Sequence, residues 1–241
     1  MKILITNDDS IKSIALLELA KAAKNYGEVF IVAPSDEQSG KSHGIDIKNG
    51  LELTKASVGL DCDTYTLTST PADCVRAAVF ALKRDFDIVF SGINTGLNVG
   101  EDIAYSGTVA AISEAAMLGK KGIAFSAYAN DHNTLIKYFD EIMEFFKTNK
   151  LLEYNDLYNV NVPRNPKGIK LTKQGSTHFD TRFDNINGMY YQLGNPRHEM
   201  DKDNENSDVF AIYNEYISIT PLINDRTNYE ILKKFNISYN K

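Results

Sequence analysis

Apolar residues in the first two thirds of the chain fall into short continuous runs that alternate with stretches of helical spacing. Lys2-Ile3-Leu4-Ile5-Thr6 reads as a strand buried on both faces; Ile14, Leu16, Leu17, Leu19, Ala20 and Ala23 follow at helical intervals, and Glu28 to Val32 is a second strand. That is a βαβ unit, which predicts parallel strands joined by crossover helices and an α/β fold class. Pro34 closes the second strand, and a polar stretch from Ser35 to Gly50 leads to two short strand candidates, Leu51–Thr54 and Thr64–Leu67. A helix then begins with Thr70 as N-cap, Pro71 at the first helical position and Asp73 in the first turn, where the helix dipole favours an anion. Further strands are predicted at Asp87–Phe90, Gly122–Ser126 and Leu157–Val162. Between them lie a helix capped by Ser106 and stopped by Gly119, and an amphipathic helix over Leu135–Phe146.

After Pro163 the pattern changes. Residues 164–208 are rich in Asn, Asp, Gly and Lys, with alternation only around Ile169–Thr172 and Met189–Leu193, and read as an extended hairpin or arm. Val209 to Leu222 alternates as one long strand or a hairpin, and Tyr229–Phe235 as a short helix. The expected organisation is a core over 1–163 followed by a dependent region, 164–241, made of hairpin, returning strand and helix. Tyr190, Tyr191, Val209, Phe210 and Ile212 need burial that so polar a region does not supply, which points to a second subunit.

Composition narrows the function. The 241 residues carry 26 Lys+Arg against 32 Asp+Glu, a net charge of −6, so the basic face that a duplex-nucleic-acid binder needs is not expected. Cys62 and Cys74 form neither a CxxC pair nor a disulfide framework and read as small buried thiols. The N-terminus turns acidic too early for a secretory segment and no run of about 18 apolar residues occurs, so the reading is cytoplasmic, with no membrane partner.

In open α/β sheets ligands bind beyond the carboxyl ends of the strands, and four polar clusters sit there. Asn7-Asp8-Asp9-Ser10 follows the first strand; adjacent carboxylates can turn toward one hard cation, or serve merely as a cap beside a solvated acid. The Ser35–Gly44 loop contains Gly40-Lys41-Ser42, but a P-loop would need glycine where Ser35 stands, so only the hydroxyls of Ser39 and Ser42, with Gln38, remain as ligand candidates. His43 reads as structural or solvent-exposed rather than catalytic. Ser91 to Gly100 carries glycine at every fourth position, which is no dinucleotide fingerprint, while Asn94 and Asn98 offer neutral oxygens to a cation or a substrate. Tyr105-Ser106-Gly107-Thr108 opens a helix, where free N–H groups and two hydroxyls suit an anion, or where Ser106 is simply the cap. Paired acids, neutral oxygens and an anion-binding helix end at neighbouring strand termini are the layout of metal-assisted phosphoryl chemistry.

The segments ILITNDDS, APSDEQSG, STPADCV, SGINTGLNVGEDIAYSGTVAAISEA and YISITPL, in this order, resemble the SurE family of 5′/3′-nucleotidases. The resemblance implies a three-layer Rossmann-like core with a mainly parallel sheet, an extended C-terminal hairpin or arm used in oligomerisation, and a homodimer or homotetramer. It implies hydrolysis of nucleoside 5′-monophosphates to nucleoside and phosphate, with 3′-monophosphates and short polyphosphate as further candidates, and one divalent ion, Mg²⁺ or Mn²⁺, as cofactor. Carried over, the metal ligands are Asp8, Asp9, Ser39 and Asn94. Substrate is bound by Asn94, Asn98, Ser106, Gly107 and Thr108, and Asp8, Asp9 and Ser106 are catalytic. The family usually has glycine where this chain has Ser10 and Ser69, which puts the local turn geometry in question but removes no ligand. Two other readings stand beside this one: a non-catalytic nucleotide sensor, against which the Asp8-Asp9 pair speaks, and a dinucleotide-dependent oxidoreductase, whose glycine fingerprint is missing.

Overall fold

Ile3, Leu4 and Ile5 have no exposed surface, because the strand they form lies in the middle of a sheet covered on both faces. The computed structural model describes residues 1–176, 178–196, 201 and 203–235; the remainder of the 164–241 region lies outside the described residues. In chain order the elements are β1 (Lys2–Thr6), α1 (Ile14–Ala23), β2 (Glu28–Pro34), β3 (Leu53–Lys55), β4 (Thr64–Leu67), α2 (Pro71–Phe80), β5 (Ile88–Thr95), a 3₁₀ turn (Gly100–Tyr105) and α3 (Gly107–Met117). They continue with β6 (Lys121–Ala127), α4 (His132–Thr148), α5 (Leu151–Tyr154), β7 (Leu157–Val162), β8 (Ile169–Leu171), β9 (Phe179–Ile186), β10 (Met189–Pro196), α6 (Asp208–Tyr213), β11 (Ile217–Leu222) and α7 (Tyr229–Lys234).

Among the described residues a nine-stranded sheet runs in the order β3-β4-β2-β1-β5-β6-β7-β11-β8. The six strands from β4 to β7 are mutually parallel, while β3 pairs antiparallel with β4, and β11 pairs antiparallel with β7 and parallel with β8. Two apolar layers cover the sheet. On one face α1 and α4 pack Leu16, Leu19, Phe139 and Ile142 against Ile3, Ile5, Phe90 and Phe125. Phe125 lies 5.4 Å, centroid to centroid, from both Phe90 and Phe139. On the other face α2 and α3 pack Val75, Ala78, Val109 and Ile112 against Leu4, Val32, Val89 and Ala124. This is the three-layer, Rossmann-like α/β architecture with a mostly parallel sheet.

The predicted caps form. Thr70 Oγ1 accepts from Asp73 N at 3.2 Å with Pro71 opening α2, and Gly119 stops α3 at φ +71°. One expectation is corrected: Val209 to Leu222 is neither one strand nor a hairpin but α6 followed by β11. Ser207 caps α6 by accepting from Phe210 N at 3.0 Å, and Val209 and Ile212, three residues apart, turn to one buried face. Those two residues pack within the chain against Val99 and need no second subunit, whereas Tyr190 and Tyr191 remain exposed on the two-stranded β9–β10 hairpin. Strands β8 and β11 extend the main sheet beyond β7.

The seat of α3 on β6 is tight enough to test. A Cβ at Gly122 would lie 2.5 Å from Ile112 Cβ, closer than real atoms approach. Gly122→Ala is therefore expected to lower stability by about 1–3 kcal/mol, as an overpacked core does, read as a lowered urea midpoint with an unchanged slope.

Candidate active site

β1 ends at Thr6, and the chain turns at once into Asn7-Asp8-Asp9-Ser10. Ser10 holds this turn at φ +81°, a conformation that glycine adopts without strain, and its carbonyl accepts from Asn7 Nδ2 at 3.0 Å. Asp8 is only 4% exposed. Its Oδ1 accepts the Thr108 hydroxyl at 2.6 Å. Burial pushes the Asp8 carboxyl above its ordinary value, the Thr108 hydroxyl opposes the rise and the Asp9 charge adds to it. Asp9 is half-buried, and its Oδ2 accepts the backbone N–H of Thr95, at the end of β5, at 3.0 Å. The paired acids thus bridge two neighbouring parallel strands, with Asn94 next to the point of contact.

Gly107 is what lets α3 begin there. A Cβ on it would come within 3.0 Å of Asp8 Cβ and 3.2 Å of Pro71 Cγ, so β1, α2 and α3 converge at this residue. Ser106 Oγ accepts from Val109 N at 3.1 Å and is therefore the helix cap, with its own proton still to donate. Thr108 gives its hydroxyl and its backbone N–H to Asp8, so the positive end of α3 already faces a carboxylate.

The 35–50 loop closes over the same edge. Gln38 N donates to Asp8 O at 2.8 Å, which brings the neighbouring Ser39 beside the turn; Ser39 itself is exposed and donates to Glu37 Oε1 at 2.7 Å. Farther along, Ser42 donates from N to Tyr105 O at 3.0 Å and from Oγ to Ala104 O at 2.6 Å. His43 proves structural: its Nε2 lies 2.9 Å from the buried Glu114 Oε2, and Arg76 Nη1 reaches the other oxygen at 2.9 Å. Burial works to raise the Glu114 carboxyl, but the His43 and Arg76 contacts outweigh it and hold it below its ordinary value.

Asn94 and Asn98 are placed differently. Asn94 is half-buried beyond a bulge in the β5–β6 pairing, and its Nδ2 donates to Gly96 O at 2.8 Å. Asn98 is knitted into the sheet: its N donates to Asn161 Oδ1 at 2.8 Å, its carbonyl accepts from Asn159 and Asn161, and its Nδ2 donates to Ser126 Oγ at 2.9 Å. Sequence reasoning missed Asn159, Asn161 and Ser126, although two asparagines alternating on a buried strand, Leu157–Val162, are the signal that would have found them. It also missed Asp208. That carboxylate, without exposed surface, accepts backbone N–H groups from Gly100 at 3.0 Å, Gly175 at 2.8 Å and Val209 at 2.8 Å, tying the C-terminal region to the loop after β5. Burial nevertheless pushes it up to about 6, against those three hydrogen bonds.

A divalent cation suits the donors gathered here. They are all oxygens, two are adjacent acids of which one is starved of water, and Asn7 Oδ1 beside them is buried without a partner. Among the described residues no three His, Cys, Asp or Glu side chains converge as a metal cluster, so neutral oxygens would have to complete the shell. No helix among the described residues is long and apolar enough to cross a membrane.

Comparison with known proteins agrees with this geometry. The family model described as "Survival protein SurE" matches residues 3–181. The protein named 5′-nucleotidase SurE from Clostridium beijerinckii is 36% identical over 247 residues, covering 96% of each chain. Its namesake from a Thermoanaerobacter species is 37% identical over 247 residues, covering 98% of this chain and 97% of the relative. The solved structure of the SurE protein from Aquifex aeolicus superposes with a TM-score of 0.79 at 32% identity, over 98% of both chains.

Asp208 gives a pH signature. Its unfolded carboxyl releases its proton near the ordinary 3.8 and its folded one only near about 6, so between these values the folded state holds the extra proton and loses stability as pH rises. The expected loss is up to about 3 kcal/mol. Urea unfolding of wild type and Asp208→Asn at pH 4 and pH 7 should give wild type the larger relative advantage at pH 4; the reverse order would contradict the assignment.

Proposed function

The chain belongs to the SurE family, and from that premise we propose that it is a metal-dependent phosphatase that hydrolyses nucleoside 5′-monophosphates to nucleoside and phosphate. The observation that carries the reading is the Asp8-Asp9 pair, one member buried against the N-terminus of α3 and the other hydrogen-bonded to the end of β5. Nucleoside 3′-monophosphates and short polyphosphate are further substrates to assay. A cytoplasmic location accords with this chemistry.

In the proposed mechanism Asp8, Asp9, Ser39 and Asn94 would hold one divalent ion, Mg²⁺ or Mn²⁺, whose contribution is Lewis-acid polarisation of the phosphoryl group. The substrate phosphate sits by the start of α3, where the Ser106 hydroxyl donates to a phosphoryl oxygen as charge develops on it. Thr108 keeps Asp8 oriented, and Asn94 and Asn98 line the approach, Asn98 fixing the backbone there through Asn159 and Asn161. A carboxylate oxygen of the pair takes the proton of the attacking water; the new P–O bond forms as the bond to the nucleoside oxygen breaks, that oxygen takes a proton from solvent, and the carboxyl returns its own proton to solvent.

Phosphate release from AMP, with Mg²⁺ or Mn²⁺ and with EDTA, tests the reading. Release that EDTA abolishes is expected, whereas AMP binding without release would make the protein a nucleotide sensor. Asp9→Asn is expected to cut turnover at least about a hundredfold at limiting metal with the fold retained. Ser106→Ala should lose about 1 kcal/mol of stability, because the cap is present. If the hydroxyl also donates in the transition state, kcat/KM on AMP should fall by about 10²–10³ as well, and a loss within about threefold would leave it a cap only.

The β9–β10 hairpin is proposed as the arm that joins two copies of the chain, because Phe183, Ile186, Met189, Tyr190, Tyr191 and Leu193 are all exposed on it. Light scattering at micromolar concentration should report a homodimer or homotetramer, and a monomer would contradict the arm.

A further inference from the structure

The mechanism makes no use of the cavity beside the 38–48 segment. It has a volume of about 410 Å³, within the roughly 300–1,000 Å³ typical of small-molecule sites, and opens between the 38–48 segment and Thr68–Thr70 at the start of α2. Its walls are joined to the candidate phosphate site. Gln38, which lines it, is the residue whose N–H is bonded to Asp8 O at 2.8 Å. Thr70, on the opposite wall, donates to Gly44 O at 2.7 Å, and its neighbour Pro71 is the residue that a Cβ on Gly107 would meet at 3.2 Å. A phosphate held at the buried Asp8 has to direct its ester substituent outward, and these two links place the cavity one residue from the Asp8 turn on one side and from Gly107's neighbour Pro71 on the other.

The lining has the character of a site for a flat, partly apolar ligand. Ile45 and Ile47 line it while 42% and 80% exposed, so neither serves the core. They are displayed by an ordered turn: Asp46 N donates to Asp73 Oδ2 at 2.8 Å, and the Asp46 carboxylate accepts from Lys48 N, Asn49 N and Asn49 Nδ2 at 2.8–3.0 Å. Among the described residues Lys41 and Lys48, also in the lining, form no ion pair. Two apolar side chains on a fixed turn, bordered by two ammonium groups and the Gln38 amide, match a nucleoside, whose base has an apolar face and an edge rich in acceptors.

We infer that this cavity is the nucleoside subsite, with Ile45 and Ile47 covering the base and Lys41 and Gln38 donating to base or ribose. The inference rests on the nucleotidase reading for the position of the phosphate, but its test does not need turnover. Adenosine, which lacks the phosphate, is titrated into wild type and into the Ile45→Ser/Ile47→Ser double variant by calorimetry or ligand-observed NMR, with thermal midpoints confirming that both are folded. Wild type is expected to bind adenosine at millimolar concentration or below, and the double variant about tenfold more weakly. With AMP and ribose 5-phosphate as paired substrates, the ratio of their kcat/KM values should fall by a similar factor in the variant. Absence of adenosine binding to wild type, or equal binding by the two proteins, overturns the subsite even if AMP is hydrolysed. Adenosine binding that the variant loses, without any phosphate release from AMP, upholds the subsite and removes the nucleotidase reading instead.

Discussion

Where α3 starts, the backbone at Gly107 passes so close to Asp8 that no side chain fits between them. Most of the candidate site follows from that contact. It brings the positive end of a helix onto a carboxylate that burial would otherwise destabilise, and it sets Thr108 at 2.6 Å from that carboxylate. It also fixes where α2 sits, since Pro71 shares the same narrow space. The Ser106 cap, the position of the 3₁₀ turn before it and the hydrogen bonds from Ser42 to Ala104 and Tyr105 are arranged around this approach. A larger residue at position 107 would push α3 off the sheet edge and separate the paired acids from the helix end together.

The loops that complete the site are held by buried polar groups from distant parts of the chain. Glu114, in the middle of α3, anchors His43 and Arg76 and so restrains the 35–50 loop on α2 and α3. Asn159 and Asn161 on β7 hold Asn98, and Asp208 at the start of α6 holds Gly100. Each removes a charged or amide group from water, a cost offset for Glu114 by two side-chain cations or donors and for Asn159, Asn161 and Asp208 by backbone groups that would themselves be unsatisfied there. Precision at the sheet edge therefore depends on hydrogen bonds spanning up to 108 residues of sequence.

That dependence explains why the region after Pro163 is polar yet integral. β11 and β8 continue the main sheet past β7, and α6 closes over the loop after β5 through Val99, Val209 and Ile212. The β9–β10 hairpin forms a sheet of its own.

The sequence by itself determined what local physics controls. Continuous apolar runs specified the central strands, because a strand covered on both faces has no polar positions to spare. Thr70-Pro71 and Ser106 marked helix starts because the orphan N–H groups of a first turn need an acceptor. The clusters at Asp8-Asp9, Ser39, Asn94 and Ser106–Thr108 were legible because polar residues directly after buried strands collect at one sheet edge. Helix α6 was misread, since Val209, Ile212 and the apolar residues of β11 satisfy an alternating pattern when taken as one run, and only packing against Val99 separates the two elements. The tertiary structure alone decided that Asn98 is fastened by β7, that Asp208 reaches Gly100, that His43 meets Glu114, and that a cavity flanked by Ile45 and Ile47 adjoins the Asp8-Asp9 turn. Those contacts join residues far apart in sequence, where neither periodicity nor capping carries any information, and the order of strands in the sheet is what brings them together.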